Sequence, residues 1–289
     1  MLIGITGARG FLGAPLARRF IEAGHTAVPL PREIGLLPGV DAVVHLAGES
    51  IAGLWTPRKR AAILESRVEG TRRLVERMRA ARHRPRVFVC ASAAGYYGHR
   101  PGVALDEHSP PGLGFRSRVC LEWEAEARRA EELGIRTVML RLATVLDPEG
   151  GFLGAMLPLL RSGLCFVLGR TRDRFSWIGR EDALRLVELC IADDSIRGPL
   201  NASAPRAATQ KEFAHALAAA AGRHVLGRVP RRLLRLALGE FAQAFIDDQD
   251  VRPARALARG FRFRHPDLPG LFRALGLQCP ETGRRHALA

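Results

Sequence analysis

Short apolar runs alternate with amphipathic stretches through the first half of the chain, which predicts a parallel sheet covered by helices. Residues 2–6 are a compact apolar run that reads as a strand, and residues 11–23 place apolar side chains at helical spacing. Further strands are predicted over residues 26–30, 42–46, 86–91 and 136–142, with long helices over 57–81 and 115–133. Between residues 30 and 42 the breakers Pro31, Gly35, Pro38 and Gly39 leave little room for another strand and crossover helix. The second half is less regular. It predicts a Gly150-Gly151 turn, a helix over 152–161, a strand over 175–178, a helix over 181–193 and a strand over 199–202. Helices follow over 210–221, 231–246, 251–258 and 269–276. Residues 278–289 carry turn residues and charge without periodicity and are expected to fray.

The sharpest local signal is Thr6-Gly7-Ala8-Arg9-Gly10-Phe11-Leu12-Gly13, three glycines spaced G-x-x-G-x-x-G between the first strand and the first helix. Gly7 lets the chain turn off the strand, Gly10 lets main-chain amides approach a pyrophosphate, and Gly13 lets the helix pack closely on the sheet. The helix dipole then faces the phosphates. The expected fold is α/β, a Rossmann-type doubly wound parallel sheet. Residues 1–150 build the dinucleotide domain, 179–203 return to it, and 151–178 with 204–277 form a smaller mixed region.

The second strand ends in Leu30-Pro31-Arg32, where a coenzyme lacking the 2′-phosphate would require a carboxylate on the ribose. Arg32 and Arg9 are two guanidinium groups suited to a 2′-phosphate, so NADP(H) is the expected cofactor. In the alternative, Arg32 is merely exposed and Glu33 takes the ribose. Leu46-Ala47-Gly48-Glu49 closes another strand in small residues, letting the chain run beside the adenosine ribose and pyrophosphate. His45 lies within that strand and reads more as a packed core residue than as a catalyst.

Composition narrows the classes. With 47% apolar residues, 289 residues can bury a large core. No apolar run spans a bilayer, and the short N-terminal strand does not read as a signal peptide. Five scattered cysteines without metal spacing suit a reducing cytoplasm, and no metal site is expected. The net charge of +15 comes from 44 basic residues of which only Lys59 and Lys211 are lysines. They spread along the whole chain, which reads as a solvated surface rather than a nucleic-acid or membrane site.

Together the glycine loop, His45-Leu-Ala-Gly48, Val68-Glu-Gly-Thr71, Ala91-Ser92, Tyr97-Gly98 and Asn201 resemble the extended short-chain dehydrogenases/reductases of the NAD-dependent epimerase/dehydratase type. More narrowly, five segments resemble an atypical subgroup of uncharacterised epimerase family proteins. These are Ala47-Gly-Glu-Ser-Ile51, Ser92-Ala-Ala-Gly-Tyr-Tyr-Gly98, Trp123-Glu124, Ser176-Trp-Ile178 and Asn201-Ala-Ser-Ala-Pro205. Gly260-Phe-Arg-Phe263 with Pro266-Asp267-Leu268 is similar to the subgroup's C-terminal domain of unknown function. The resemblance implies a Rossmann domain holding the dinucleotide and a C-terminal region covering the substrate.

The departures matter as much. The superfamily's chemistry needs a Tyr with a Lys four residues later, and the only tyrosines, Tyr96 and Tyr97, have no such partner. The helix where the pair belongs reads Phe115-Arg116-Ser117-Arg118-Val119-Cys120. The expected Asn is Arg67, and the His frequent in the subgroup's Trp-Ile-His segment is Gly179. Tyr96 or Tyr97, with Ser92 as hydrogen-bond partner, is the substitute candidate for a proton donor; the alternative is that both rings only shape the pocket. Arg141, Arg172 and Arg174 could meet an anionic ligand or serve as structural and solvated charges. Two functions follow: an NADP(H)-dependent oxidoreductase or epimerase acting on a small polar substrate such as a nucleotide sugar, or an NADP(H)-binding sensor or interaction protein without turnover. The expected state is a monomer or homodimer.

Overall fold

The structure, a computed structural model, describes residues 1–31 and 39–277. Six parallel strands form the central sheet: β1 (Leu2–Thr6), β2 (Thr26–Pro29), β3 (Ala42–His45), β4 (Val87–Ala93), β5 (Arg136–Leu142) and β6 (Gly198–Ala202). Their order across the sheet is β6-β5-β4-β3-β1-β2. The chain leaves β1 for β2 on one side and then reaches β3 on the other. The β1/β3 boundary is therefore the topological switch point, with a crevice at the carboxyl ends of those strands.

Side-chain alternation explains why the sheet is covered twice. Ile3, Ile5, Val44, Val87, Val89, Val138 and Leu140 face one way, onto α1 (Gly13–Glu22) and α5 (Arg180–Ala192). Val43, Phe88, Cys90 and Met139 face the other way, onto α2 (Pro57–Ala80) and α3 (Phe115–Arg128). Both faces being buried, the strands read as continuous apolar runs. Arg19 of α1 ties that helix to α5 through Glu181 (2.9 Å) and Glu188 (2.6 Å).

A second core gathers Leu153 and Leu160 of α4 (Gly151–Arg161), Phe213 and Leu217 of α6 (Gln210–Ala220), and Leu271 and Phe272 near the C-terminus. Several boundaries differ from the expected ones. The strand expected over 175–178 is two pieces: Arg174–Phe175 pairs antiparallel with Ala208–Thr209, and Trp177–Gly179 pairs parallel with Thr144–Asp147. The helix expected over 231–246 is interrupted after α7 (Arg231–Leu238) by Gly239 at φ 59°. The helix expected over 251–258 begins only at Ala254, because Pro253 precedes it and Asp250–Val251 pairs with Ala104–Leu105. The tail 278–289 lies outside the described residues, as do Arg32 and Glu33. Among the described residues no helix is long and apolar enough to cross a membrane.

Candidate functional site

The loop between β1 and α1 is shaped by what cannot fit in it. Gly7 adopts φ 70°, a left-handed conformation open to glycine, and a Cβ there would stand 3.0 Å from Ala47 N. A Cβ on Gly13 would stand 2.1 Å from Gly7 O, and one on Gly10 3.1 Å from the same oxygen. The Gly10 amide closes the turn by donating to Gly7 O at 2.9 Å. The amides of Phe11, Leu12 and Gly13 then donate to no acceptor among the described residues. They stand at the head of a helix whose first turn contains no acid. Amides so placed fit an anion of the size of a dinucleotide pyrophosphate.

The facing wall comes from the end of β3. Thr6 and His45 are register partners, with Thr6 Oγ1 2.6 Å from His45 Nδ1. Ala47 N donates to the same hydroxyl at 3.3 Å. Burial, with Arg67 adding, pushes the His45 pKa down to about 4, so the ring is neutral. Leu46 packs at the margin of the cores on both faces of the sheet. Gly48 lies against the Arg67 guanidinium, where a Cβ would come within 3.2 Å of Cζ. That guanidinium donates to Glu49 O at 3.0 Å, and the Glu49 carboxylate pairs with Lys59 at 2.7 Å. Arg67, in place of the expected Asn, thus props the 47–49 segment from beneath. Its burial lowers its pKa.

Of the other candidate contacts, Phe11 turns its ring onto the turn before α4, so close that a Cβ on Gly150 would come within 2.8 Å of it. Arg180 stands over the same ring at 5.3 Å. Arg9 is exposed in the glycine loop.

At the carboxyl ends of β4 and β5 lies a buried polar network. Ser92 donates to Glu124 at 2.7 Å, and Glu124 receives Arg141 through two bonds of 2.8 and 2.9 Å. Arg141 also donates to the Tyr97 hydroxyl at 3.0 Å, and that hydroxyl donates to Asn201 at 2.7 Å. Burial pushes the Tyr97 phenol up to about 12 against the opposing pull of Arg141. The Arg141 guanidinium lies 3.4 Å above the Tyr96 ring. The Tyr96 hydroxyl has no hydrogen-bond partner among the described residues. Thus Ser92 and Tyr97 are brought into one network, and Ser92 is joined to Glu124 rather than to either tyrosine. Arg116, in the helix where the phenol of the family belongs, turns to Asp247 at 3.1 Å and to Gln243 O at 2.8 Å. Glu124 stands in the sequence only within the Trp123-Glu124 resemblance, without an expected site role. The signal was available: Arg141 within a buried parallel strand requires a counter-charge.

A glycine-cradled switch point in a parallel sheet covered on both faces defines a Rossmann-type protein of the short-chain dehydrogenase/reductase kind. The chain belongs to the NAD dependent epimerase/dehydratase family, whose model matches residues 34–198, while residues 229–275 match a domain of unknown function, DUF1731. It is 33% identical over 284 residues to epimerase family protein Mb2239 of Mycobacterium bovis, covering 91% of this chain and 94% of that protein. It is 31% identical over 301 residues to the chloroplastic epimerase family protein SDR39U1 homolog of Arabidopsis thaliana, covering 95% and 86%. Among solved structures, human epimerase family protein SDR39U1 with NADPH superposes with a TM-score of 0.89 at 29% identity, covering 96% of this chain and 99% of that one. UDP-glucose 4-epimerase of Thermus thermophilus, at 18% identity and a TM-score of 0.75, shares the fold.

Proposed function

We propose that this protein binds NADP(H) across the β1/β3 switch point and holds it without the proton relay usual in its superfamily. The observation that carries the reading is the cradle of free amides at Phe11, Leu12 and Gly13, with Cβ atoms excluded at Gly7 and Gly13. Thr6, Gly7 and residues 10–13 hold the pyrophosphate, and Leu46, Ala47, Gly48 and Glu49 form the opposite wall. Arg9, with Arg32 outside the described residues, meets the 2′-phosphate. The NADPH carried by the human relative in its crystal structure supports the phosphorylated coenzyme. When bound, that group supplies a hydride-transfer centre.

Binding without turnover is favoured by how the candidate donors are engaged. Ser92 is tied to Glu124, Tyr97 donates to Asn201, and Arg116 stands on Asp247 where the phenol should be. The four buried thiols Cys90, Cys120, Cys165 and Cys190 suit a reducing compartment, in our reading the cytoplasm.

A second reading, an oxidoreductase or epimerase acting on a small polar substrate such as a nucleotide sugar, rests on Tyr96. Among the described residues its hydroxyl has no hydrogen-bond partner, whereas Ser92 and Tyr97 are engaged. A hydride-transfer screen over carbonyl compounds and nucleotide sugars separates the two readings. The first predicts no turnover above coenzyme background; turnover abolished by Tyr96→Phe and spared by Tyr97→Phe would establish the second.

A further inference from the structure

Away from the glycine loop, a cavity of about 500 Å³ opens where the 99–102 loop meets the 170–174 turn and Asp248. Its lining includes Gly102, Arg170, Arg172, Asp173, Arg174 and Asp248, none of which belongs to the coenzyme cradle. The volume lies within the roughly 300–1,000 Å³ typical of small-molecule sites.

The frame is rigid because main-chain hydrogen bonds from three segments fix it. Gln210 N donates to Asp173 O at 2.9 Å and Lys211 N to Thr171 O at 3.1 Å, anchoring the turn on the start of α6. Arg174 N donates to the Asp248 carboxylate at 2.8 Å, while Arg100 N donates to Asp248 O at 2.9 Å. Asp248 N in turn donates to His99 Nδ1 at 2.9 Å.

The charges within this frame are unevenly satisfied. The side chains of Arg170 and Arg172 have neither a hydrogen bond nor an ion pair among the described residues. Asp173, which lines the cavity, is 3% exposed and its carboxylate accepts no hydrogen bond among the described residues; its Oδ2 is enclosed and pairs with the Arg231 guanidinium at 3.8 Å. A buried acceptor left empty is costly and rare in native proteins. The site therefore offers two guanidinium groups without hydrogen bonds at its rim and, on its floor, a carboxylate whose hydrogen-bonding capacity is unused among the described residues.

We propose that this cavity binds a phosphorylated polyol, with its phosphate on Arg170 and Arg172 and a hydroxyl donating to Asp173. Guanidinium forks match phosphate oxygens bidentately. The two floor carboxylates, Asp173 and Asp248, repel a second anionic group, which disfavours polyanions, and the three arginines repel a plain cation. No lining residue is aromatic, so a flat apolar ligand finds no ring to stack on. The proposal goes beyond the coenzyme reading and does not rest on it.

Isothermal titration of the full chain with glucose 6-phosphate tests this, with glucose and inorganic phosphate as the partial probes. Glucose 6-phosphate is expected to bind saturably, glucose not at all, and inorganic phosphate about tenfold more weakly. The Arg170→Ala/Arg172→Ala double variant should lose about tenfold or more in affinity for glucose 6-phosphate, since charge-assisted bonds to phosphate are the strong ones. Asp173→Asn should remove most of the preference for the sugar phosphate over inorganic phosphate. Thermal melts establish that both variants fold, and their NADPH affinity should match the parent chain. Absence of saturable binding, or full affinity in the double variant, overturns the site. An Asp173→Asn variant that keeps the preference overturns the polyol assignment. Failure of NADPH to bind the parent chain would leave this site standing and remove the coenzyme reading alone.

Discussion

Thr6 and His45 face one another in register at the ends of adjacent parallel strands, their side chains joined at 2.6 Å beneath the glycine loop. The bond couples the two segments that wall the crevice, because the same hydroxyl accepts the Ala47 amide. It is made by a buried imidazole whose second nitrogen, Nε2, has no partner among the described residues.

His45 should therefore make stability depend on pH. Its folded pKa of about 4 lies below the unfolded value of about 6.5, so the unfolded chain binds the extra proton between those limits. The contribution is complete above the unfolded pKa and is lost as pH falls through this window, up to about 3 kcal/mol. Denaturant melts from neutral to acid pH should show the parent chain losing stability faster than His45→Asn. Parallel curves would assign the acid sensitivity to other groups.

Gly13→Ala should fold but bind coenzyme poorly. The added methyl meets Gly7 O at 2.1 Å, and neither backbone can yield without moving the loop or the helix. Overpacking of this kind costs about 1–3 kcal/mol. If displacement of the amides carries that cost into binding, NADPH affinity falls about 5- to 150-fold. Equilibrium titration beside a thermal melt separates this loss from unfolding.

Much of the fold was legible because parallel strands buried on both faces announce themselves as apolar runs, and glycines at fixed spacing announce the turn off β1. Among the described residues β2 stands at the sheet edge beside β1, while the expectation for the breakers after Pro31 falls mostly on residues 32–38, outside the described residues. The short pairings were not legible. Asp250–Val251 and Ala104–Leu105 are two residues each, and only their distant partner makes either a strand. Of the polar network at the ends of β4 and β5, the sequence points to Ser92, Tyr97 and Arg141 only singly. Their organisation comes from Glu124: Arg141 in a buried strand asks for a counter-charge, but only the packing of α3 across the strand ends selects which acid supplies it.

The Glu124–Arg141 pair should behave as a unit. Side chains exposed by only 4% and 1% leave a bare charge in the interior when one partner is removed. Arg141→Met or Glu124→Leu alone should cost about 3–5 kcal/mol, and the double variant less than the sum. Additive losses in chemical denaturation would contradict the coupling.

Tyr97→Phe removes the hydroxyl shared by Arg141 and Asn201 and should destabilise the chain by about 1–3 kcal/mol. Tyrosinate absorbance offers a second reading of the same residue. With its pKa pushed up to about 12, Tyr97 should stay protonated in the folded chain after an ordinary phenol, near 10, has ionised. Two equal ionisations near the ordinary value would contradict the buried network.

Nicotinamide fluorescence tests the proposed amide cradle for a diphosphate and its preference for a 2′-phosphate. Titration of the full chain should show NADPH binding at least tenfold more tightly than NADH, with Arg9→Ala and Arg32→Ala each weakening NADPH and sparing NADH. Equal affinity for both coenzymes, or binding of neither, contradicts the proposed NADP(H) site.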